Sequence, residues 1–216
     1  GGLLYDDVLK VTWLQDANYA KTSNYDADGS MNWSDAKTWA SSLNISRVAG
    51  ESLTGWRLAA NTPVGSDWNY IEKYDGSTDV GYNITSPHSE LSYMYYVNLK
   101  LKGKYSTAGA FQSDFGVFGD GTIDDYGQAD VGLVKNLQSF LYWSGTAYEP
   151  NPFSSAWFFD AAIGAQYGLL VGSQMNAWAV RPGDVAAVPE PEAYAMLMSG
   201  LGLMCVVARR RKSKQS

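Results

Sequence analysis

The chain has 216 residues, enough for one domain with a proper core or for one domain and a tail. Its 45% hydrophobic and 18% charged residues exclude a wholly disordered chain. Up to residue 187 it carries 20 acidic and 11 basic side chains, and this negative body argues against a nucleic-acid partner because phosphate binding needs clustered Lys and Arg. The 15 Tyr and 8 Trp favour an all-β or mixed fold with aromatic packing.

The chain has one cysteine, Cys205, and one histidine, His88. These counts exclude an intrachain disulfide, multi-histidine metal sites, and Cys-His catalysis in the body. Ser-His-Asp catalysis through His88 stays open on composition, although a lone histidine in a Ser/Pro-rich loop is more typical of a surface residue.

In chain order, alternating apolar residues predict a first strand over residues 9–13. A helix is predicted over residues 35–43, capped by Ser34, because apolar residues recur there with helical spacing on one face. Residues 55–58 predict a short strand that directly follows a turn. Residues 90–101 fit a strand and a helix equally well.

The second half of the body is richer in strands. Residues 103–132 hold many Gly, Asp and Ser and predict a long surface excursion. Three strands are then predicted at 140–144, 156–160 and 177–181, each followed by turn residues. Helices in the first half and strands in the second predict the α+β class.

The composition changes sharply at residues 185–191, which separates a body, residues 1–187, from a tail, residues 188–216. Residues 193–208 carry no charge, and a basic cluster follows them. As a helix this apolar run would span about 24 Å, so flanking residues must help it cross a hydrocarbon core of about 30 Å. We expect a single C-terminal transmembrane helix with its basic end in the cytoplasm. The alternative is a C-terminal core helix, which should show a polar face.

This tail resembles the PEP-CTERM sorting signal of Gram-negative bacteria. The matching features are the Pro-Glu-Pro motif, the apolar run and the basic cluster, in that order. The resemblance implies an exosortase-type membrane protease as partner, transient residence in the inner membrane, and export to the cell surface or extracellular matrix. The sorting residues are Pro189, Glu190, Pro191, Arg209, Arg210 and Arg211. An N-terminal signal peptide is not visible in the given chain, which we interpret as a fragment.

The body also resembles a known family. The residues that carry the likeness are WLQDANYAKT (13–22), DADGSMNWSDAKTWASSL (26–43), GWRL (55–58), SELSYMYYVNL (89–99), YWSGTAY (142–148), AWFFD (156–160) and AWAVRPGDV (177–185). They are similar to an exported bacterial family of unknown function, related to the C-terminal domain of a collagen-like adhesin. The resemblance implies a C-type-lectin-like fold with short helices and a small antiparallel sheet, a helix over 90–99, and residues preceding Gly1. It also implies kinship with formylglycine-generating enzymes, whose cysteine chemistry this cysteine-free body excludes.

One acidic loop has the spacing of an EF-hand calcium loop, with a glycine at its sixth position. A neutral first ligand and a short last ligand depart from that pattern, and the alternative is an Asp/Gly turn with a capped helix and no metal. The ligands predicted for Ca²⁺ are Asn24, Asp26, Asp28, Ser30, Asn32 and Asp35. A second acidic loop, residues 119–125, has poorer spacing and is interpreted as a solvated turn.

Six aromatic side chains in the second half of the body either stack on sugar rings or fill the core, and core filling is the commoner role for such residues on strands. They are Trp143, Trp157, Trp178, Tyr142, Tyr148 and Tyr167. The leading hypothesis is a non-enzymatic surface protein that binds extracellular polysaccharide or another surface component. The alternatives are an enzyme acting on exopolysaccharide through a carboxylate pair that the sequence does not single out, and a passive matrix component.

Overall fold

The computed structural model describes residues 2–46, 52–123 and 127–185, and Gly1–Asp184 forms one compact unit. The described part contains three short helical segments: α1 (Tyr19–Thr22), α2 (Trp33–Ser42) and α3 (Glu90–Tyr93), which continues into a π-helical turn (Met94–Asn98). The strands of this part are β1 (Leu3–Asp6), β2 (Val11–Leu14), β3 (Ser30–Met31), β4 (Ile45–Ser46), β5 (Ser52–Leu53), β6 (Arg57–Leu58), β7 (Glu72–Lys73), β8 (Val80–Tyr82), β9 (Gln128–Val131), β10 (Val134–Gln138), β11 (Leu141–Ala147), β12 (Ser155–Asp160), β13 (Ala165–Leu170), β14 (Met175–Asn176) and β15 (Ala179–Pro182).

A seven-stranded mixed sheet, in the order β3-β14-β11-β12-β13-β8-β7, forms the centre of the unit. Its longest strands, β11, β12 and β13, pair antiparallel, whereas β14 joins β11 and β7 joins β8 in parallel. Both faces of β12 are covered, since the successive residues Trp157 and Phe158 are both buried although they point to opposite faces. Other segments therefore pack against both faces of this central sheet.

A second sheet, in the order β1-β2-β15-β6, joins the two ends of the body. Trp13 of β2 and Trp178 pack with their ring centroids 4.7 Å apart, and the Trp178 indole N–H donates to the Leu14 carbonyl at 2.7 Å. Tyr142 of the central sheet contacts Trp178 at 6.1 Å. Aromatic packing thus ties the second sheet to the central one, as the high Trp and Tyr content predicts.

The predicted amphipathic helix is confirmed as α2, with Ala36, Trp39 and Ala40 on its buried face. Its first turn differs from the prediction, because the helix starts at Trp33 and its N-cap is Asn32 instead of Ser34. The Asn32 Oδ1 accepts the Asp35 N–H at 3.0 Å, and an amide side chain caps a helix as well as a hydroxyl does.

The ambiguous segment 90–101 is helical, as the family resemblance favours. Its alternating aromatic residues do not form a strand: the chain is α-helical up to Tyr93 and then widens to the i→i+5 hydrogen-bond spacing of a π-helical turn. Leu91, Met94 and Tyr95 are buried. This segment covers part of the central sheet, where Tyr95 packs against Phe159 at 5.1 Å.

The predicted strands at 9–13, 55–58, 140–144, 156–160 and 177–181 correspond to β2, β6, β11, β12 and β15. The predicted excursion 103–132 is correct only up to its last residues, because β9 begins at Gln128. A small antiparallel sheet is present as the four-stranded sheet β1-β2-β15-β6, but the central sheet is larger than expected and mixed, with seven strands and two parallel pairs. The α+β class holds, with many strands and few short helices. The C-type-lectin-like fold stays a prediction.

The predicted C-terminal membrane helix lies outside the described residues. Within residues 2–46, 52–123 and 127–185, no helix is long and apolar enough to cross a membrane.

Candidate functional site

The six aromatic residues singled out in the sequence divide into two groups. Tyr142, Trp143, Trp157 and Trp178 are buried, so for these four the core interpretation is correct. The other two, Tyr148 and Tyr167, are half-buried and belong to two separate aromatic surfaces at one edge of the central sheet.

The first surface, which we call the tyrosine platform, comprises Glu72, Tyr74, Tyr82, Tyr105, Phe111 and Tyr167. Strand register places its centre on one face of the sheet. Tyr82 lies opposite Ala165, and Tyr167 is two residues further along β13, so Tyr82 and Tyr167 share a face. Glu72 lies opposite Val80, which is two residues before Tyr82, and joins the same face.

Ring contacts hold the platform together. Tyr74 stacks on Tyr82 at 5.6 Å, and Tyr105 meets both rings at 5.1 and 5.2 Å. Phe111 meets Tyr105 edge-on at 6.5 Å. Tyr74 is 40% exposed and Phe111 61% exposed, whereas Tyr82 is buried. The platform is therefore a fixed aromatic floor whose outer rings face solvent.

A hydrogen bond supplies the polar part of the platform. The Tyr167 hydroxyl donates to Glu72 Oε1 at 2.7 Å. Burial, then this bond to a carboxylate, raises the pKa of the Tyr167 phenol well above its usual value, so the phenol stays protonated. The phenol oxygen and the carboxylate keep lone pairs for further donors, so a ligand hydroxyl can donate to this pair.

Two residues fix the backbone conformation of the segments that carry the platform. The Asn83 amide Nδ2 donates to the carbonyls of Tyr74 and Tyr105, at 2.6 and 2.9 Å, and so joins the two loops that carry those rings. Gly81 has φ +111°, and a Cβ there would overlap the Lys73 carbonyl. A glycine at position 81 thus lets β7, which carries Glu72, lie directly against β8.

The second surface, which we call the tryptophan patch, comprises Trp68, Tyr70 and Tyr148 over the buried Trp157. Trp68 stacks on Trp157 at 5.0 Å with an interplanar angle of 27°, and Tyr148 meets Trp157 edge-on at 4.8 Å. Tyr70 is nearly parallel to Trp157 at 6.1 Å and is 36% exposed. Sequence reasoning missed Trp68 and Tyr70, because they lie in a segment without helical or strand periodicity.

A buried carboxylate anchors the loop that carries Trp68 and Tyr70. Asp79 is 1% exposed, and its two oxygens accept the N–H groups of Val64 and Asn69, each at 2.7 Å. The Asp79 N–H in turn donates to the Asn69 carbonyl at 3.1 Å. A buried charge needs such partners, so these contacts fix the loop to the sheet.

The central sheet leaves space for the Tyr148 ring of the patch at a glycine. A Cβ at Gly168 would overlap the Tyr148 ring, which lies flat over that glycine. The neighbouring Glu149 is exposed. Burial, followed by the negative charge of Glu149, raises the pKa of the Tyr70 phenol. The patch therefore combines neutral aromatic rings with an acidic rim.

The predicted calcium loop is a series of local turns. Asp26 Oδ1 accepts the N–H groups of Asp28 and Gly29 at 3.0 and 2.8 Å, and Asp28 Oδ1 accepts that of Ser30 at 2.9 Å. Burial alone would raise the pKa of Asp26, but these N–H groups lower it overall, so the carboxylate is ionised at neutral pH. Asn24 adopts the left-handed conformation, with φ +57°.

The other predicted ligands lie at the start of α2 and in β3. Asn32 and Asp35 bind each other through the helix cap and a 2.7 Å contact between Nδ2 and Oδ2, and Ser30 contacts Asn176 at 3.4 Å. Beneath the loop lies Asn18, whose buried Oδ1 accepts no hydrogen bond from the described residues. Within those residues no three His, Cys, Asp or Glu side chains form a group suited to a metal ion. The donor chemistry fits calcium, and the site stays a prediction.

Two other features are less suited to a functional site. His88 is exposed, and its Nδ1 shares a 2.8 Å hydrogen bond with Thr62, which agrees with a surface role. A groove of about 520 Å³ lies beside β1, lined mainly by apolar residues such as Leu3 and Leu133. Of its two acids, Asp6 and Asp7, Asp6 already accepts hydrogen bonds from Asn98 and from the Val8 N–H.

The two aromatic surfaces and the tail can be compared with known proteins. Residues 187–212 match the PEP-CTERM protein-sorting motif. This match includes Pro189, Glu190, Pro191 and Arg209 to Arg211, which lie outside the described residues. No curated protein and no solved structure shows significant similarity to the chain.

The PEP-CTERM match has a direct consequence for the fate of the chain. It supports export through an exosortase-type sorting system, with transient anchoring in the membrane and transport toward the cell surface. An exosortase-type processing enzyme is accordingly a partner of the tail.

Proposed function

We propose that the protein is a non-enzymatic exported module that binds extracellular polysaccharide through the tyrosine platform. The observation that carries the proposal is the pairing of exposed rings with the hydrogen bond between Tyr167 and Glu72. Sugar rings have apolar C–H faces and a rim of hydroxyls, so they suit an aromatic floor with hydrogen-bond acceptors beside it.

The net charge of the body indicates which class of polysaccharide it would bind. The body up to residue 187 has nine more acidic than basic side chains, and the platform itself contains Glu72. A polymer rich in uronate or sulfate would be repelled by this net negative charge, because Lys104, whose Nζ lies 5.9 Å from the Tyr105 ring centroid, offsets a single negative charge. We therefore propose an uncharged polysaccharide, and the calcium loop would serve to stabilise the body.

The test compares two tyrosines of equal exposure. Tyr74 of the platform and Tyr5 of β1 are each 40% exposed. We expect Tyr74→Ala to weaken binding about tenfold, because loss of one stacked anchor costs about 1.4 kcal/mol, and Tyr5→Ala to leave it unchanged. Calorimetry of the full chain in lipid nanodiscs, titrated with uncharged exopolysaccharide from the producing cells, measures both.

Two outcomes would favour the alternatives. Release of reducing ends above the blank would favour an enzyme acting on exopolysaccharide. Absence of binding to every polysaccharide of the producing cells would favour a passive structural component of the matrix.

A further inference from the structure

We infer that the tryptophan patch is a second saccharide site, on the opposite face of the central sheet, so that one molecule bridges two polysaccharide strands. This inference rests on the proposed function of the tyrosine platform. It assigns a separate site, with its own rings and its own acidic rim, to Trp68, Tyr70 and Tyr148.

Strand alternation places the two surfaces on opposite faces. Trp157 and Phe158 are successive residues of β12 and point to opposite sides of the sheet. Trp157 packs against Trp68 of the patch, whereas Phe158 packs against Tyr167 of the platform at 6.1 Å. The neighbouring strand repeats the division, because Tyr148 of the patch lies over Gly168, the residue after Tyr167.

The patch has the features of a saccharide site in its own right. Trp68 and Tyr70 both lie nearly parallel to the buried Trp157 indole, at 27° and 14°, so flat rings are available beside an edge-on Tyr148. Glu149 is exposed at its rim and can accept hydrogen bonds from sugar hydroxyls. As at the platform, a negative rim favours an uncharged sugar over a uronate.

The anchoring of the loop argues that the patch is preorganised. The two hydrogen bonds to Asp79 hold the loop on both sides of Trp68 before any ligand arrives. A ligand that meets fixed rings loses less affinity to ordering of the site. Because the two surfaces face opposite directions, a short oligosaccharide cannot occupy both, and two strands of a polymer can.

The first experiment counts bound ligands. The probe is a hexasaccharide fraction of the uncharged exopolysaccharide, titrated into the full chain in nanodiscs and followed by calorimetry. At hexasaccharide concentrations too low to fill a site that is weakened about tenfold, we expect two hexasaccharides per chain in the wild type and in Tyr5→Ala, and one per chain in Trp68→Ala and in Tyr74→Ala. Trp68→Ala also removes a packing contact between the loop and Trp157, so a second variant serves as a check. Glu149→Gln changes the rim, leaves every ring in place, and is expected to weaken only the second binding event.

The second experiment measures bridging. Energy transfer between donor-labelled and acceptor-labelled polysaccharide should rise with wild-type chain, held one per nanodisc, and return to background in either single variant. One hexasaccharide per wild-type chain, lost only in Tyr74→Ala, would overturn the second site and leave the proposed function standing. No binding of hexasaccharide or polymer to the wild type would overturn both.

Discussion

At the scale of single residues, Asp79 decides whether the tryptophan patch exists. Its side chain is buried, and its two carboxylate oxygens accept hydrogen bonds from backbone N–H groups of the loop that it holds. It also belongs to a buried chain of contacts, in which Gln166 donates to the Asp79 carbonyl at 2.9 Å and accepts from the Ser89 hydroxyl. A polar residue deep in the body thus positions aromatic rings at the surface.

The first prediction concerns this anchor. Asp79→Ala should lower the free energy of unfolding by about 3 kcal/mol, because two charge-assisted hydrogen bonds are lost and two buried N–H groups are left without acceptors. Urea unfolding measures the stability, and near-ultraviolet circular dichroism reports the packing of Trp68 on Trp157. Asp67→Ala, an exposed acid of the same loop, is the matched control. Equal stability of the two variants would contradict an anchoring role.

The sequence predicts some of these residues and misses others for a physical reason. Tyr148 and Tyr167 are singled out as aromatic residues near the predicted strands, although β13, the strand that carries Tyr167, is itself not predicted. Trp68, Tyr70 and Asp79 are not, because their roles depend on contacts between segments distant in sequence. A carboxylate that accepts two backbone N–H groups leaves no local signature.

At the scale of elements, periodicity predicts the longest helix and two of the three longest strands, misses the third, β13, and fails for most strands of two residues. The helix α2 and the strands β11 and β12 follow from helical spacing or alternation over several turns or residues. Strands of two residues, such as β3, β7 and β14, carry no periodicity, and they extend the sheet from the expected small size to seven strands. The π-helical turn after α3 likewise escapes a pattern with a fixed spacing.

The second prediction belongs to the loop between α1 and α2. Its carboxylates repel each other, and a divalent cation would remove that repulsion and use the free acceptor of Asn18 beneath the loop. Calcium at about 100 times its dissociation constant adds about 2.7 kcal/mol of stability, which raises the melting temperature by about 5–10 °C. Differential scanning calorimetry in millimolar calcium and in chelator measures the shift.

The calcium experiment has two comparison variants. Asp26→Ala/Asp28→Ala should melt at the same temperature in both solutions. Asp120→Ala, in the second acidic loop, should keep the wild-type shift, because Asp120 only accepts from Thr122 in a solvated turn. If the wild type itself melts identically with calcium and with chelator, the loop is a plain Asp/Gly turn with a capped helix.

At the scale of the whole molecule, the body and the tail have different roles. The body has its own buried aromatic core and two aromatic surfaces, and the tail carries the signal for export. The order of Pro-Glu-Pro, an uncharged run and a basic cluster is strictly local, so the sequence identifies the tail completely. The tyrosine platform and the tryptophan patch arise from pairing of strands that are distant in sequence. Sequence patterns therefore indicate these two surfaces only in part.

The last prediction concerns sorting. While the uncharged run of residues 193–208 holds the chain in the inner membrane, the Pro-Glu-Pro motif should be recognised and the chain cleaved near it, which removes Cys205 and the basic cluster. Glu190→Ala should therefore leave a full-length form in the membrane fraction, since the motif loses its only charge. Glu192→Ala removes an equal charge just beyond the motif and should be processed like the wild type. Mass spectrometry of secreted and membrane fractions follows the peptide that contains Cys205. If this peptide were present in secreted wild-type protein at the level found for Glu190→Ala, processing at this motif would be refuted.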